Sequence, residues 1–284
     1  MPRPRLLLAL VLTWSCGSPD DKASHTGGDS DADTDTDTDT DTDAGLVTTW
    51  LETGGSASAS SAGEALSVTA TCADGAPFLG GGFEATGLDI TTNDSPDRAE
   101  WLVGGVATDA SASLAVSLVC TNASWTVHPA EGPPSRDGMV GQKMVSAVVC
   151  PSGMVVGGGC TGSGIALTES VPTVYEGTSS AWACAGRVLD ASAQLQAHAY
   201  CAEEMLDAYV AFASASAPIG PADGVVTVES SCQPGELSLG GGFSGDVEVR
   251  VHRSELVEGQ GWQADFEALV DGRSANVGAL CLRP

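Results

Sequence analysis

Basic residues and aromatic side chains are both scarce in this 284-residue chain. Eleven Lys and Arg stand against 37 Asp and Glu, a formal charge of -26, and aromatics make up only 5%. So acidic a surface repels phosphate backbones, which excludes nucleic acid as a partner. No apolar run is long enough to cross a bilayer: the best, LLLALVLTW, has nine residues. No window of twelve or more residues carries a helical stripe. HExxH and GxSxG are absent, so zinc-protease and nucleophile-elbow chemistry lose their best signals. The four histidines, at 25, 128, 198 and 252, fall in four unrelated stretches. No catalytic residue, metal-ligand set or cofactor site is therefore expected. A carboxylate pair of glycosidase type could be drawn from many places, which keeps a secreted hydrolase open as the alternative.

What the chain does have is an address, a tether and a repeat. Residues 1–16 combine basic MPRPR, the nine apolar residues and Cys16, the pattern of an export signal. Residues 17–45 hold ten Asp in an Asp-Thr run without apolar periodicity, expected to stay extended. At about 3.3 Å per residue this tether reaches at most about 95 Å. An EF-type calcium loop is not expected there, because its Gly and bidentate Glu are missing. Setting aside the ten Asp and one Lys of 17–43 and the two Arg of the signal, the body keeps 27 acidic and 8 basic residues. The 36 Gly of the chain favour turns and strands.

Past residue 45 the chain repeats itself over 46–122, 123–203 and 204–284. Each copy has a cysteine (Cys72, Cys150, Cys232), a Gly triplet, a Trp, and a closing cysteine nineteen residues after that Trp. The triplets are Gly80, Gly81 and Gly82, then Gly157, Gly158 and Gly159, then Gly240, Gly241 and Gly242. The pairs of Trp and closing cysteine are Trp101 and Cys120, Trp182 and Cys201, Trp262 and Cys281. Period-two alternation, as in Leu114, Val116, Leu118 and Cys120, predicts strands with the cysteine inward. Four or five antiparallel strands per copy are expected. The fold class is all-β: three tandem disulfide-stapled repeats, Greek-key, β-prism-like or sandwich-like.

A phosphate cradle would need a helix after the Gly triplet. None is predicted, so close backbone packing under the Trp ring is the expected role. Phe follows the first and third triplets, but Cys160 follows the second. Two residues after each Trp stand Val103, Cys184 and Ala264, so the two cysteines of the odd copy arrive together. They are expected to face each other on adjacent strands, a disulfide in place of a Phe on a small residue. A redox or zinc pair is the rival, but the nearest histidine, His198, has outward parity. The remaining pairs are then Cys72 with Cys120, Cys150 with Cys201, and Cys232 with Cys281. Cys16 is the ninth and odd cysteine. The stretches between triplet and Trp, such as EATGLDITTNDSPDRAE, diverge among copies and read as variable loops on a rigid scaffold.

Several of these stretches carry resemblances. TWSC resembles the lipobox of bacterial lipoproteins, which implies that Cys16 is the lipidated first residue and anchors the chain to a membrane. The Asp-Thr run is similar to those of myxobacterial surface lipoproteins. The pattern CPSGMVVGGGC…WAC…AHAYC resembles cysteine-rich modules of bacterial exported proteins, including pilus-tip and phage-tail adhesins. Three β-repeats also resemble the pseudo-threefold β-prism of vitelline-membrane outer-layer proteins, whose own motifs are missing. These resemblances imply an outer-membrane or cell-surface lipoprotein that binds an extracellular protein or glycan, with an envelope coat component as a further alternative. Intact mass of membrane-extracted protein should show a diacyl or triacyl addition on an N-terminal Cys16. A soluble mature form beginning beyond residue 16 would refute lipidation.

Overall fold

The computed structural model of the chain describes residues 47–95, 98–136, 138–175, 179–203, 208–215, 217–257 and 261–283. Cys16 and the tether lie outside the described residues. The rest falls in one compact unit. Repeat 1 forms β1 (Thr49–Ser58), β2 (Ala65–Ala70), β3 (Phe78–Thr86), β4 (Leu88–Asp94), β5 (Trp101–Ala107) and β6 (Ser113–Thr121). Repeat 2 forms β7 (Val127–Glu131), β8 (Ser135–Arg136), β9 (Lys143–Val149), β10 (Met154–Ser163), β11 (Ile165–Tyr175), β12 (Ser179–Val188) and β13 (Gln194–Ala202). Repeat 3 forms β14 (Ala208–Ser214), β15 (Val225–Ser231), β16 (Leu237–Gly245), β17 (Val249–Val257), β18 (Gly261–Ala268) and β19 (Ala275–Leu282). The described helical structure is limited to two short 3-10 turns, Ala73–Gly75 and Pro221–Asp223.

The chain is all-β, but no repeat is a module. The three antiparallel sheets run β1-β6-β3-β17-β18-β15, β2-β5-β4-β10-β13-β7 and β14-β19-β16-β11-β12-β9. Each repeat divides its strands between two sheets, three and three in the first and third repeats and four and three in the second, so the exchange closes on itself. One continuous core results. This is the prism-like arrangement, and the sandwich expectation is set aside. Each copy also has at least six strands rather than four or five. The extra ones are the stretches read as loops: β4, β11 and β17 carry much of their length. They alternate apolar residues inward (Leu88 and Ile90, Ile165 and Leu167, Val249 and Val251) and cross over to pair with β10, β16 and β3 of another repeat.

The Gly triplets sit where that crossing happens. An added Cβ on Gly81, Gly158 or Gly241 would come within 2.5 Å of the ring of Trp101, Trp182 or Trp262. On Gly82, Gly159 or Gly242 it would strike the carbonyl oxygen of Ser254, Asn93 or Ser170 on the crossing strand. The second glycine thus seats the Trp of its own repeat, and the third admits the neighbouring repeat. Each indole N–H is held by a residue of the crossing strand: Trp101 by Asn93, Trp182 by Ser170 and Trp262 by Ser254.

Disulfides join Cys72 to Cys120, Cys150 to Cys201, Cys160 to Cys184 and Cys232 to Cys281. The expectation that Cys160 and Cys184 face each other on adjacent strands is corrected. They lie on β10 and β12 in different sheets and bridge the interior. Phe83, Cys160 and Phe243 are equivalent, fully buried residues on β3, β10 and β16, which pack on one another. Phe83 and Phe243 meet edge to face at 5.8 Å. Two rings and one disulfide fill the shared centre where three rings would crowd it.

Gly81→Ala should lower the melting temperature by roughly 2–12 °C, from an overpacking cost of about 1–3 kcal/mol. Gly80→Ala should be nearly neutral, since a Cβ there meets nothing within 4 Å. Thermal melts of the two variants check this. Equal losses would remove the Trp-seating role.

Candidate functional site

Each sheet has one junction where two repeats meet, and the register makes the three junctions comparable position by position. The residue opposite the third glycine of the triplet is Ser117, His198 or Gly278. The residue opposite the first glycine is Val119, Tyr200 or Leu280. The crossing strand supplies Glu255, Asp94 or Val171, one place beyond the indole partner. Beyond the closing strand stand Thr53, Glu131 or Phe212. The scaffold is constant while these positions change character. One junction is apolar, with Phe212 exposed; one has Ser117 and Glu255 at these positions. The third is a built polar network.

That network centres on Asp94, which is fully buried. The Tyr200 hydroxyl donates to its Oδ1 at 2.6 Å, and the Thr161 hydroxyl donates to Oδ2 at 2.9 Å. His198 Nδ1 pairs with Oδ2. The Ser95 N–H donates to the Tyr200 oxygen at 2.9 Å. His198 does have the outward parity read from the sequence, but it does not project into solvent: Asp94 holds it, and it is 7% exposed. A carboxylate with this many donors is satisfied where a bare one would be costly.

Burial by itself would lower the His198 pKa. The hydrogen bond to Asp94, with the charges of Asp94 and Glu131, outweighs burial and raises it. Tyr200 is driven well above its ordinary value by burial first, then by the Asp94 charge and hydrogen bond, so it stays a neutral donor. Behind Tyr200 lies Arg98, with its guanidinium 4.9 Å from the Tyr200 ring centre and 5.8 Å from that of Phe78. Phe78 in turn meets Trp101 edge to face at 6.1 Å.

The structure therefore gathers Asp94, Thr161, His198, Tyr200 and Arg98, none of which stood out as a site in the sequence. The signal was departure from the repeat: Tyr200 where the other copies have Val119 and Leu280, Asp94 against Val171 and Glu255. All nine triplet glycines, the three repeat Trp and the eight paired cysteines are in the framework around it. Among the described residues no group of three or more His, Cys, Asp or Glu is placed to hold a metal. The four disulfides are consistent with an exported protein. No described helix is long and apolar enough to cross a membrane. No protein-family model matches the chain, and no curated protein is significantly similar to it.

The raised His198 pKa fixes a sign. Its stabilisation is complete below the ordinary value of 6.5 and is lost as pH rises through the higher folded value. The parent should lose a few degrees of melting temperature across that window. His198→Gln should give a flatter curve. Parallel curves would show that the pair with Asp94 does not control stability.

Proposed function

We propose that this protein is an exported, lipid-anchored cell-surface protein that binds an extracellular protein or glycan and performs no covalent chemistry. The observation that carries the proposal is the difference among the three equivalent junctions. The frame of glycines, Trp and cysteines repeats, whereas the equivalent junction positions are apolar in one sheet, include Ser117 and Glu255 in another, and form the Asp94 network in the third. A repeated frame whose equivalent positions change character at one junction is how a single scaffold comes to hold a site particular to one place. The disulfides suit an exported location, and the tether with Cys16 would hold the unit away from the membrane.

The alternative hydrolase needs a second carboxylate facing the first across a cleft. Among the described residues Asp94 is the carboxylate in the buried set, and its oxygens are occupied by Tyr200, Thr161 and His198. An acid held this way orients its neighbours and has no free lone pair aimed at a substrate. A coat component would need no such network.

Immobilised full-length protein should capture a discrete partner from a glycan array or an extracellular protein fraction. The double variant Asp94→Glu with His198→Ser installs the residues of the β3–β17 junction, Glu255 and Ser117. It should keep the fold by near-ultraviolet dichroism and lose that partner at least ~10-fold. Capture that survives this variant and changes at the other two junctions alike, or turnover of a glycan without capture, would overturn the proposal.

A further inference from the structure

Arg98 is out of place in this chain. The half-buried Arg187, Arg250, Arg253 and Arg273 each have a carboxylate within 3.8 Å. Arg98 has no ion pair with a described residue, although acidic residues outnumber basic ones more than three to one. Its Nη2 donates to the Phe78 carbonyl at 3.3 Å, and its Nη1 is buried without a hydrogen-bond partner. A buried guanidinium N–H left unmade is costly. The backbone is strained as well, with φ at +57°, in the left-handed region that favours glycine.

Two clefts meet at this side chain. The larger, about 350 Å³, lies between the start of β3 and the connection from β6 to β7. Phe78, Leu79, Trp125 and Val127 wall it, with Arg98 at its side. The smaller, about 220 Å³, lies against Cys72 and Pro77 and also reaches Arg98. Phe78 on β3 and Tyr200 on β13, the two rings nearest the guanidinium, come from different sheets and have no aromatic counterpart in the other repeats. Position 78 is matched by Val155 and Ser238 in the other repeats, and position 200 by Val119 and Leu280. Among the described residues the cation, its aromatic bed and the cleft therefore occur together here.

We infer that Arg98 receives the carboxylate of a small organic acid whose apolar or planar body lies along Trp125, Phe78 and Leu79. A carboxylate matches the planar fork of a guanidinium and adds a single charge. A multiply charged phosphate gains nothing from apolar walls and is repelled more strongly by the acidic body. The cleft volume is at the lower end of the range for small-molecule sites. Seating the acid on Nη1 takes a small swing of the guanidinium toward the cleft, and the contact supplies the missing acceptor. The inference rests on the binding function proposed above and names its ligand class.

Calorimetric titration of the full chain with phenylacetate, galacturonate, phenylacetamide and inorganic phosphate tests it. At least one of the two acids should bind at a single site with a Kd of about 1 mM or tighter. Which acid wins separates an aromatic acid from an acidic sugar. Phenylacetamide should bind at least ~10-fold more weakly than phenylacetate if the latter binds, since it lacks the charge. Arg98→Gln should abolish acid binding, and Arg98→Lys should weaken it by keeping the charge without the fork. Trp125→Ala should weaken it also, and serves if Arg98→Gln does not fold. No binding of either acid, preference for phosphate, equal binding of acid and amide, or retention in folded Arg98→Gln would overturn the inference. Macromolecular capture that persists in Arg98→Gln would leave the binding function standing and remove only this ligand class.

Discussion

The fold depends on strand exchange between repeats. Each repeat splits its strands between two sheets, so no repeat can cover its own apolar faces, and the three must close together or not at all. Such closure has a steric condition, namely that the crossing strand must lie against its neighbour's backbone without a side chain between them. The third glycine of each triplet meets it, with the Ser254, Asn93 and Ser170 carbonyls occupying the space of a Cβ. The disulfides then rejoin what the exchange has separated. Cys72 follows β2 in one sheet and Cys120 lies on β6 in another, and the other repeats do the same. Each of these three bridges closes a loop of 48 to 51 residues. In the chain-entropy account each is worth about 4 kcal/mol. That is a large contribution for a body so poor in aromatic side chains.

Threefold repetition has a limit at the axis, where equivalent residues of all three repeats meet. At the level of the Gly triplets the solution is two Phe rings and one cysteine drawn aside to Cys184. Nearer the β4, β11 and β17 starts the equivalent residues are Asp89, Ala166 and Arg250. There Arg250 Nε lies 3.3 Å from Asp89, and Arg187 joins them at 3.8 Å. Three like charges or three rings would be untenable in such a place, whereas a mixed set is self-complementary. The odd GGGC copy is thus a consequence of packing at the axis, not a sign of redox chemistry.

Much of this was legible in the sequence because the informative contacts lie within one repeat. The Trp and the glycine it covers belong to the same copy, as do both cysteines of every bridge, and the covariation of Cys160 with Cys184 exposed the fourth. What was not legible involves two repeats. β4, β11 and β17 read as loops because their alternation is interrupted by bulges, as between Ile90 and Thr92, and the strand on their other side is about seventy or more residues away. Asp94 and His198 could not be associated until β4 of the first repeat was known to lie beside β10 of the second. Arg98 has no sequence signal of its own. Its meaning comes from the absence of a carboxylate beside it.

The same molecule also shows that the Asp94 network is not a requirement of the fold. A buried ion pair is weak grounds for stability, since a well-packed apolar replacement is often as good or better. Here that replacement already exists: Val171 and Gly278 occupy the positions of Asp94 and His198 in the third sheet, within the same frame. Leu280 likewise fills the place of Tyr200 and is 1% exposed without a polar atom to satisfy. The chain therefore carries a simpler solution to the same packing problem and does not use it at this junction. Keeping a buried carboxylate, its imidazole and phenol partners, and an arginine with an unmatched N–H beside a cleft needs a reason other than closure of the prism. The ligand recognition proposed above would supply one, because each of these groups is already oriented by its neighbours.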